Sequence, residues 1–76
     1  MEKEITEVLR DFNAELVEDM DRDLLATETL DSFDIVKLVV AIEDAFDIEI
    51  DIDDVSPENF QTANAIVTLV KSIIEK

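Results

Sequence analysis

Leu30-Asp31-Ser32-Phe33-Asp34-Ile35-Val36-Lys37-Leu38-Val39-Val40-Ala41-Ile42-Glu43-Asp44-Ala45-Phe46 is the stretch whose reading decides the fold. Ile35, Leu38, Val39, Ile42 and Phe46 recur at spacings of three and four, which lays one apolar stripe along a helix. Asp31 and Ser32 both suit its N-cap, because their side-chain oxygens can accept the orphan N–H groups of the first turn. The pattern therefore predicts a helix over 32–46 that begins on a serine, with a hydroxyl at its entrance. Phe33, Val36 and Val40 form a second row displaced from the first, with Asp34, Lys37, Glu43 and Asp44 alongside. Such a row is either a docking strip for a partner or the edge of a helix buried on a wide arc.

Upstream, residues 2–17 read as a first helix. Its stripe is Ile5, Val8, Leu9, Phe12 and Leu16, with Glu4, Glu7, Arg10 and Asp11 facing water. Residues 18–31 carry no sustained period and form a long loop, which Leu24, Leu25 and Leu30 tie to the core. Loops of this length are more often functional than idle. Downstream, the chain has no glycine, so its turns must be built by Asp, Asn, Ser, Thr or Pro. Asp47 is placed to end the helix, since aspartate tolerates a left-handed backbone.

Ile48, Ile50 and Ile52 then alternate with acids, a strand-like period without a partner strand. They are expected to form an extended connector whose isoleucines plug the core. Ser56-Pro57-Glu58-Asn59-Phe60 has a cap followed by proline at the first helical position, the signature of one helical turn. Thr62 can cap a last helix over 63–75, with Ile66, Leu69, Val70 and Ile73 as its stripe. Lys71 and Lys76 suit the negative end of its dipole. The expected fold is all-α: a small bundle of three long helices plus one short helix, in a single domain over 1–76.

Composition narrows the function. Seventy-six residues allow one small core. An apolar content of 47% with clear periodicity argues for a folded chain. Net charge is −15, from 21 acids against 6 bases, so nucleic acid and anionic membranes are repelled and basic protein patches are the natural partners. Histidine, cysteine, tyrosine and tryptophan are all missing. General base work near neutral pH falls most often to histidine, and thiol chemistry needs cysteine. An enzyme is not expected, and any reactive group would come from outside the chain. The absence of cysteine, of an apolar leader behind Met1 and of a run of about 20 apolar residues points to a cytoplasmic protein without a membrane span.

The acids at Asp47, Glu49, Asp51, Asp53 and Asp54 invite a metal reading. An EF-hand loop requires glycine at its sixth position. Counting from Asp47 puts Ile52 there, and counting from Asp51 puts Ser56 there. Neither register works, and no metal site is expected.

The whole chain resembles the acyl carrier protein family, which comprises acyl, peptidyl and D-alanyl carriers. The resemblance is carried by Leu30-Asp31-Ser32-Phe33-Asp34, by the acidic helix after it, and by Phe46-Asp47-Ile48-Glu49-Ile50. It implies that Ser32, preceded by Asp31, bears a 4′-phosphopantetheine arm attached by a phosphopantetheinyl transferase from coenzyme A. The arm's thiol would hold an acyl or aminoacyl group as a thioester. Loading ligases or synthases with basic docking patches would be the further partners of a monomeric carrier. Phe33 replaces the commoner leucine, Glu28 and Thr29 stand where many members have glycine, Asp51 replaces proline, and Lys37 replaces glutamate. These departures point away from housekeeping fatty-acid synthesis, toward a D-alanyl, polyketide or nonribosomal peptide carrier. The competing reading is a small acidic helical interaction module with no prosthetic group.

Sixteen of the 21 acids lie between Glu15 and Glu58, against only Arg22 and Lys37. Their repulsion is screened beyond about 8 Å at physiological salt. Sodium chloride, and divalent cations more strongly, should raise the thermal midpoint. A calorimetric midpoint that stays flat or falls between low and moderate salt contradicts this account.

Overall fold

The apolar stripes bury largely as their spacing requires. In the computed structural model, which describes residues 2–75, the order is α1 (Glu2–Phe12), a 3-10 turn (Ala14–Val17), α2 (Ser32–Phe46), a second 3-10 turn (Ile52–Asp54), α3 (Pro57–Phe60) and α4 (Ala63–Ile74). Among the described residues there is no strand, so the chain is the all-helical bundle expected, with three long helices and one short. No helix there is long and apolar enough to cross a membrane.

Ile5 and Leu9 from α1, Leu38 and Ile42 from α2, Phe60 from α3, and Ile66 and Val70 from α4 meet in one core, all without solvent exposure. Each such side chain contributes on the order of 1.5–3 kcal/mol by leaving water. Ile35, Val39 and Phe46 of the α2 stripe are only half-buried and pack against that core from its margin. Ala63 and Val67 join the α4 stripe, which makes α4 the most deeply embedded helix.

Two expectations need correction. The first helix does not run unbroken through residues 2–17. Asn13 is extended (φ −162°, ψ 112°), and its side-chain oxygen accepts the Glu15 N–H at 3.0 Å, which caps a new 3-10 turn. That local bond competes with helix continuation, as asparagine side chains commonly do. Leu16 still reaches the core, but from the turn rather than from α1.

The second correction concerns the connector. Ile50 is buried and Ile48 packs against the core, yet Ile52 is 83% exposed. Asp51 accepts the Asp53 N–H at 2.9 Å and starts the second 3-10 turn at Ile52. A 3-10 turn advances side chains by about 120° per residue rather than 180°, so the alternation ends at Ile50 and Ile52 swings out.

The termini of the other elements are built from the residues the sequence suggests. Ser56 accepts the Asn59 N–H ahead of Pro57, and Thr62 accepts the Ala65 N–H at 3.0 Å. Asp47 ends α2 in the left-handed region (φ 53°, ψ 51°). Lys71 near the end of α4 bonds Glu2 at 3.1 Å, and this carboxylate holds the ammonium pKa above its ordinary value. Lys76 lies outside the described residues.

The long loop is held by buried anchors and by polar ties to α3 and α4. Leu24 and Leu30 are buried and Leu25 half-buried. Leu24 N–H donates to the Gln61 carbonyl at 2.7 Å, Asn64 N–H to the Met20 carbonyl at 3.1 Å, and the Asn64 side chain to Asp21 at 2.6 Å. Asp23 accepts from the Ala26 and Leu25 N–H groups and from the Gln61 side chain, at 2.9, 3.1 and 2.9 Å.

The Ala26 N–H, then the Gln61 amide, hold the Asp23 carboxyl below the usual carboxylate range. A depressed folded-state pKa means that the ionised group favours the fold above its unfolded pKa, and that this preference is lost as pH falls through the folded value. The stability gap between wild type and Asp23→Ala should therefore be full at neutral pH and shrink below about pH 4. Urea titrations across that range check it. A gap that stays constant or widens in acid would show that the charge on Asp23 plays no part.

Candidate functional site

The entrance of α2 is built by a reciprocal pair of acids. The Asp31 carboxylate accepts the Asp34 N–H at 2.9 Å, and the Asp34 carboxylate accepts the Asp31 N–H at 3.2 Å. This capping box makes Asp31 the N-cap and Ser32 the first helical residue. Of the two candidates for the cap, Ser32 is thus the one not used. Its side chain is exposed and makes no hydrogen bond among the described residues. A free hydroxyl at the positive end of a 15-residue helix is well placed to carry a phosphate ester, although Asp31 and Asp34 offset part of that dipole.

Ser32 also lies on the rim of an open cleft of about 580 Å³. Leu25, Leu30 and Ile35 supply its apolar lining, with Glu28, Asp31 and Pro57 around it. The long loop thus forms one wall of the cleft and α2 the other. A flexible arm on the Ser32 hydroxyl would meet no side chain blocking its exit, and the cleft offers it apolar surface. In that sense the residues fit a pantetheine arm.

Glu28 in that wall adopts the left-handed region (φ 59°), where a glycine would be at ease. It occupies one of the places where carrier sequences often show glycine. The sequence departure is thus also a conformational one.

The outer row of α2 is exposed rather than buried on a wide arc. Phe33 is 77%, Val36 60% and Val40 51% exposed. Lys37 and Asp44 are exposed beside them, while Asp34 is half-buried in the capping box. Glu43 is half-buried, and its carboxylate accepts the Ile50 N–H at 2.9 Å, so it braces the connector as well as facing outward. Sequence reasoning missed Ile52, which stands exposed beyond this row. The flanking Asp51 and Asp53 were the available signal, since Asx-type bonds start turns. Among the described residues no three acidic side chains gather closely enough to hold a metal ion.

Residues 3–70 match the family model described as a phosphopantetheine attachment site. The chain is 31% identical over 75 residues to a D-alanyl carrier protein of Latilactobacillus sakei, an alignment covering 96% of each chain. It is 37% identical over 65 residues to D-alanyl carrier proteins of Streptococcus sanguinis and Streptococcus gordonii, over 84% of this chain and 82% of theirs. No solved structure matches the chain.

A non-glycine residue in the left-handed region costs about 1–2 kcal/mol, part of which glycine gives back as unfolded-state entropy. Glu28→Gly should therefore raise unfolding stability by about 0.5–1 kcal/mol. Chemical denaturation reads this directly. A lower midpoint in the variant would mean that the Glu28 side chain contributes more to the fold than its backbone strain removes.

Proposed function

This chain belongs to the phosphopantetheine attachment site family, and on that premise we propose that Ser32 is the residue that bears its 4′-phosphopantetheine. The protein is a carrier: it holds an acyl or aminoacyl group for other enzymes. When bound, the prosthetic group supplies the thiol that a chain without cysteine lacks, and the cargo is held there as a thioester. The single observation that carries the assignment of Ser32 is its exposed hydroxyl, left without a hydrogen bond by the Asp31–Asp34 box.

Each neighbouring residue then has a distinct part. Asp31 and Asp34 fix the first turn, so the Ser32 hydroxyl is presented at one place. Leu25, Leu30 and Ile35 give the arm an apolar surface to lie against. Phe33, Val36 and Val40, with Lys37, Glu43 and Asp44 around them, form the face that partner enzymes meet. Those partners are a phosphopantetheinyl transferase and a loading ligase with a basic docking patch, for which the net charge of −15 gives fast, salt-sensitive encounter. The chain acts as one cytoplasmic, monomeric carrier domain without catalytic residues of its own. Bringing cargo to an active site on a tether needs high effective concentration there, not a pocket on the carrier.

The resemblance to D-alanyl carriers, together with Phe33 and Lys37, favours an aminoacyl cargo over a long fatty-acyl one. D-Alanine is the leading candidate.

Ser32→Ala tests the assignment. Because Ser32 is not the cap, its loss should change stability by no more than about 0.5 kcal/mol. With coenzyme A and a broad-specificity transferase, wild type should gain one phosphopantetheine by intact mass, mapped to the peptide containing Ser32. The variant should gain none. A modified Ser32→Ala protein, or a wild type that gains nothing, refutes the assignment.

A further inference from the structure

Glu28 departs from what its place in the fold asks for. It holds the left-handed backbone (φ 59°) that glycine adopts without strain. The chain on either side fixes it there. Glu28 N–H donates to the Leu25 carbonyl at 3.2 Å, Leu30 N–H to the Leu24 carbonyl at 3.0 Å, and the Thr27 hydroxyl to the Asp23 carbonyl at 2.8 Å. The Glu28 side chain is exposed, and its carboxylate makes no hydrogen bond or ion pair among the described residues. It lines the cleft beside Leu25, Leu30 and Ile35, whereas Asp31, the other acid there, is committed to the capping box. No lysine or arginine lines the cleft. A strained residue whose charged group has no partner in the fold is a candidate for a task outside it.

We propose that the Glu28 carboxylate receives the ammonium of an aminoacyl cargo when the arm lies in this cleft, which makes Glu28 a specificity-determining residue of the carrier. The proposal deepens the carrier reading, on which it rests: the apolar lining accepts any arm, and Glu28 selects among cargoes by charge.

The size of the cleft makes the charge felt throughout it. A cavity of about 580 Å³ is about 8 Å across, no more than the Debye length of about 8 Å at physiological salt. A cation anywhere inside therefore stays within reach of Glu28. An unloaded arm ends in a neutral thiol, and a fatty-acyl arm ends in a neutral chain. Neither offers Glu28 a counter-charge, and the phosphodiester common to every arm is repelled by it. The ammonium of an aminoacyl group supplies the positive charge that the cleft lacks. Because Glu28 is exposed, the pair has the strength of a surface ion pair and shifts the arm's position only a few-fold. That is enough to favour a loaded arm in the cleft and weak enough to release it to the next enzyme.

Stable mimics of the loaded arm test this. A coenzyme A analogue with nitrogen in place of its thiol sulfur, acylated with isotope-labelled D-alanine, gives a hydrolysis-resistant alanyl cargo. The D-lactyl analogue gives a neutral cargo of the same shape. A transferase attaches each to wild type, Glu28→Gln and Glu28→Gly, with attachment verified by intact mass and folding by circular dichroism. The alanyl ammonium is then titrated by NMR at low salt. Its midpoint should lie about half a pH unit higher in wild type than in either variant. The Leu25, Leu30 and Ile35 methyl signals should differ between alanyl and lactyl cargo in wild type, and most of that difference should vanish in Glu28→Gln. An ammonium midpoint unchanged in both variants overturns the proposal, as do identical methyl signals for the two cargoes in wild type. An undiminished difference in Glu28→Gln also overturns it, by assigning the ammonium to Asp31. Failure of the carrier reading would show separately, as protein that never gains the mass of either analogue.

Discussion

The paired bonds between Asp31 and Asp34 are the interaction on which the candidate site at the entrance of α2 depends. A helix start leaves N–H groups without partners, and a serine next to one ordinarily turns inward to accept. Here the two carboxylates, at 2.9 and 3.2 Å from each other's backbone nitrogens, do that work between them. Such a cap is worth about 0.5–2 kcal/mol to the helix. Its second consequence is chemical. Ser32 is excused from capping, and its hydroxyl faces solvent on the first turn of a rigid helix, beside the cleft formed with the long loop.

That helix is only as fixed as the core beneath it. Leu38 and Ile42 anchor α2 from below, while the loop before it is held at Leu24 and Leu30 and by the Asp21, Asp23, Gln61 and Asn64 ties. The loop bridges two helices without regular structure, yet two buried leucines and bonds to α3 and α4 give it one path. Without glycine in the chain, the sharp turns fall to Glu28 and Asp47, both left-handed. Aspartate accepts this more readily than glutamate, so the strain is greater at Glu28, in the wall of the cleft.

The acidity of the chain and its apolar outer face belong to one arrangement. Single exposed apolar residues are ordinary, but Phe33, Val36, Val40 and Ile52 stand amid eight acids and one base. Mutual repulsion opposes contact between copies of the chain across that face. The same repulsion opposes compaction, and a small core must hold against it.

The sequence by itself determined the all-helical class, the extents of α2 and α4 and the caps at Ser56, Thr62 and Asp47. It also singled out Ser32 and marked the outer row of α2. These rest on local periodicity and on side chains that bond within a few residues, which are visible in one dimension. It did not decide between Asp31 and Ser32 as the cap, because both residue types can accept the same N–H. It missed the break at Asn13 and the outward turn of Ile52 for a related reason: each is a short side-chain bond to a nearby N–H that overrides an apolar period. Only the tertiary structure settled whether Phe33, Val36 and Val40 were buried or exposed, since that depends on what packs across from them. It alone brought Ile50, Ile52 and Val55 opposite α2, because the facing of two segments follows from how the core closes and not from the order of residues.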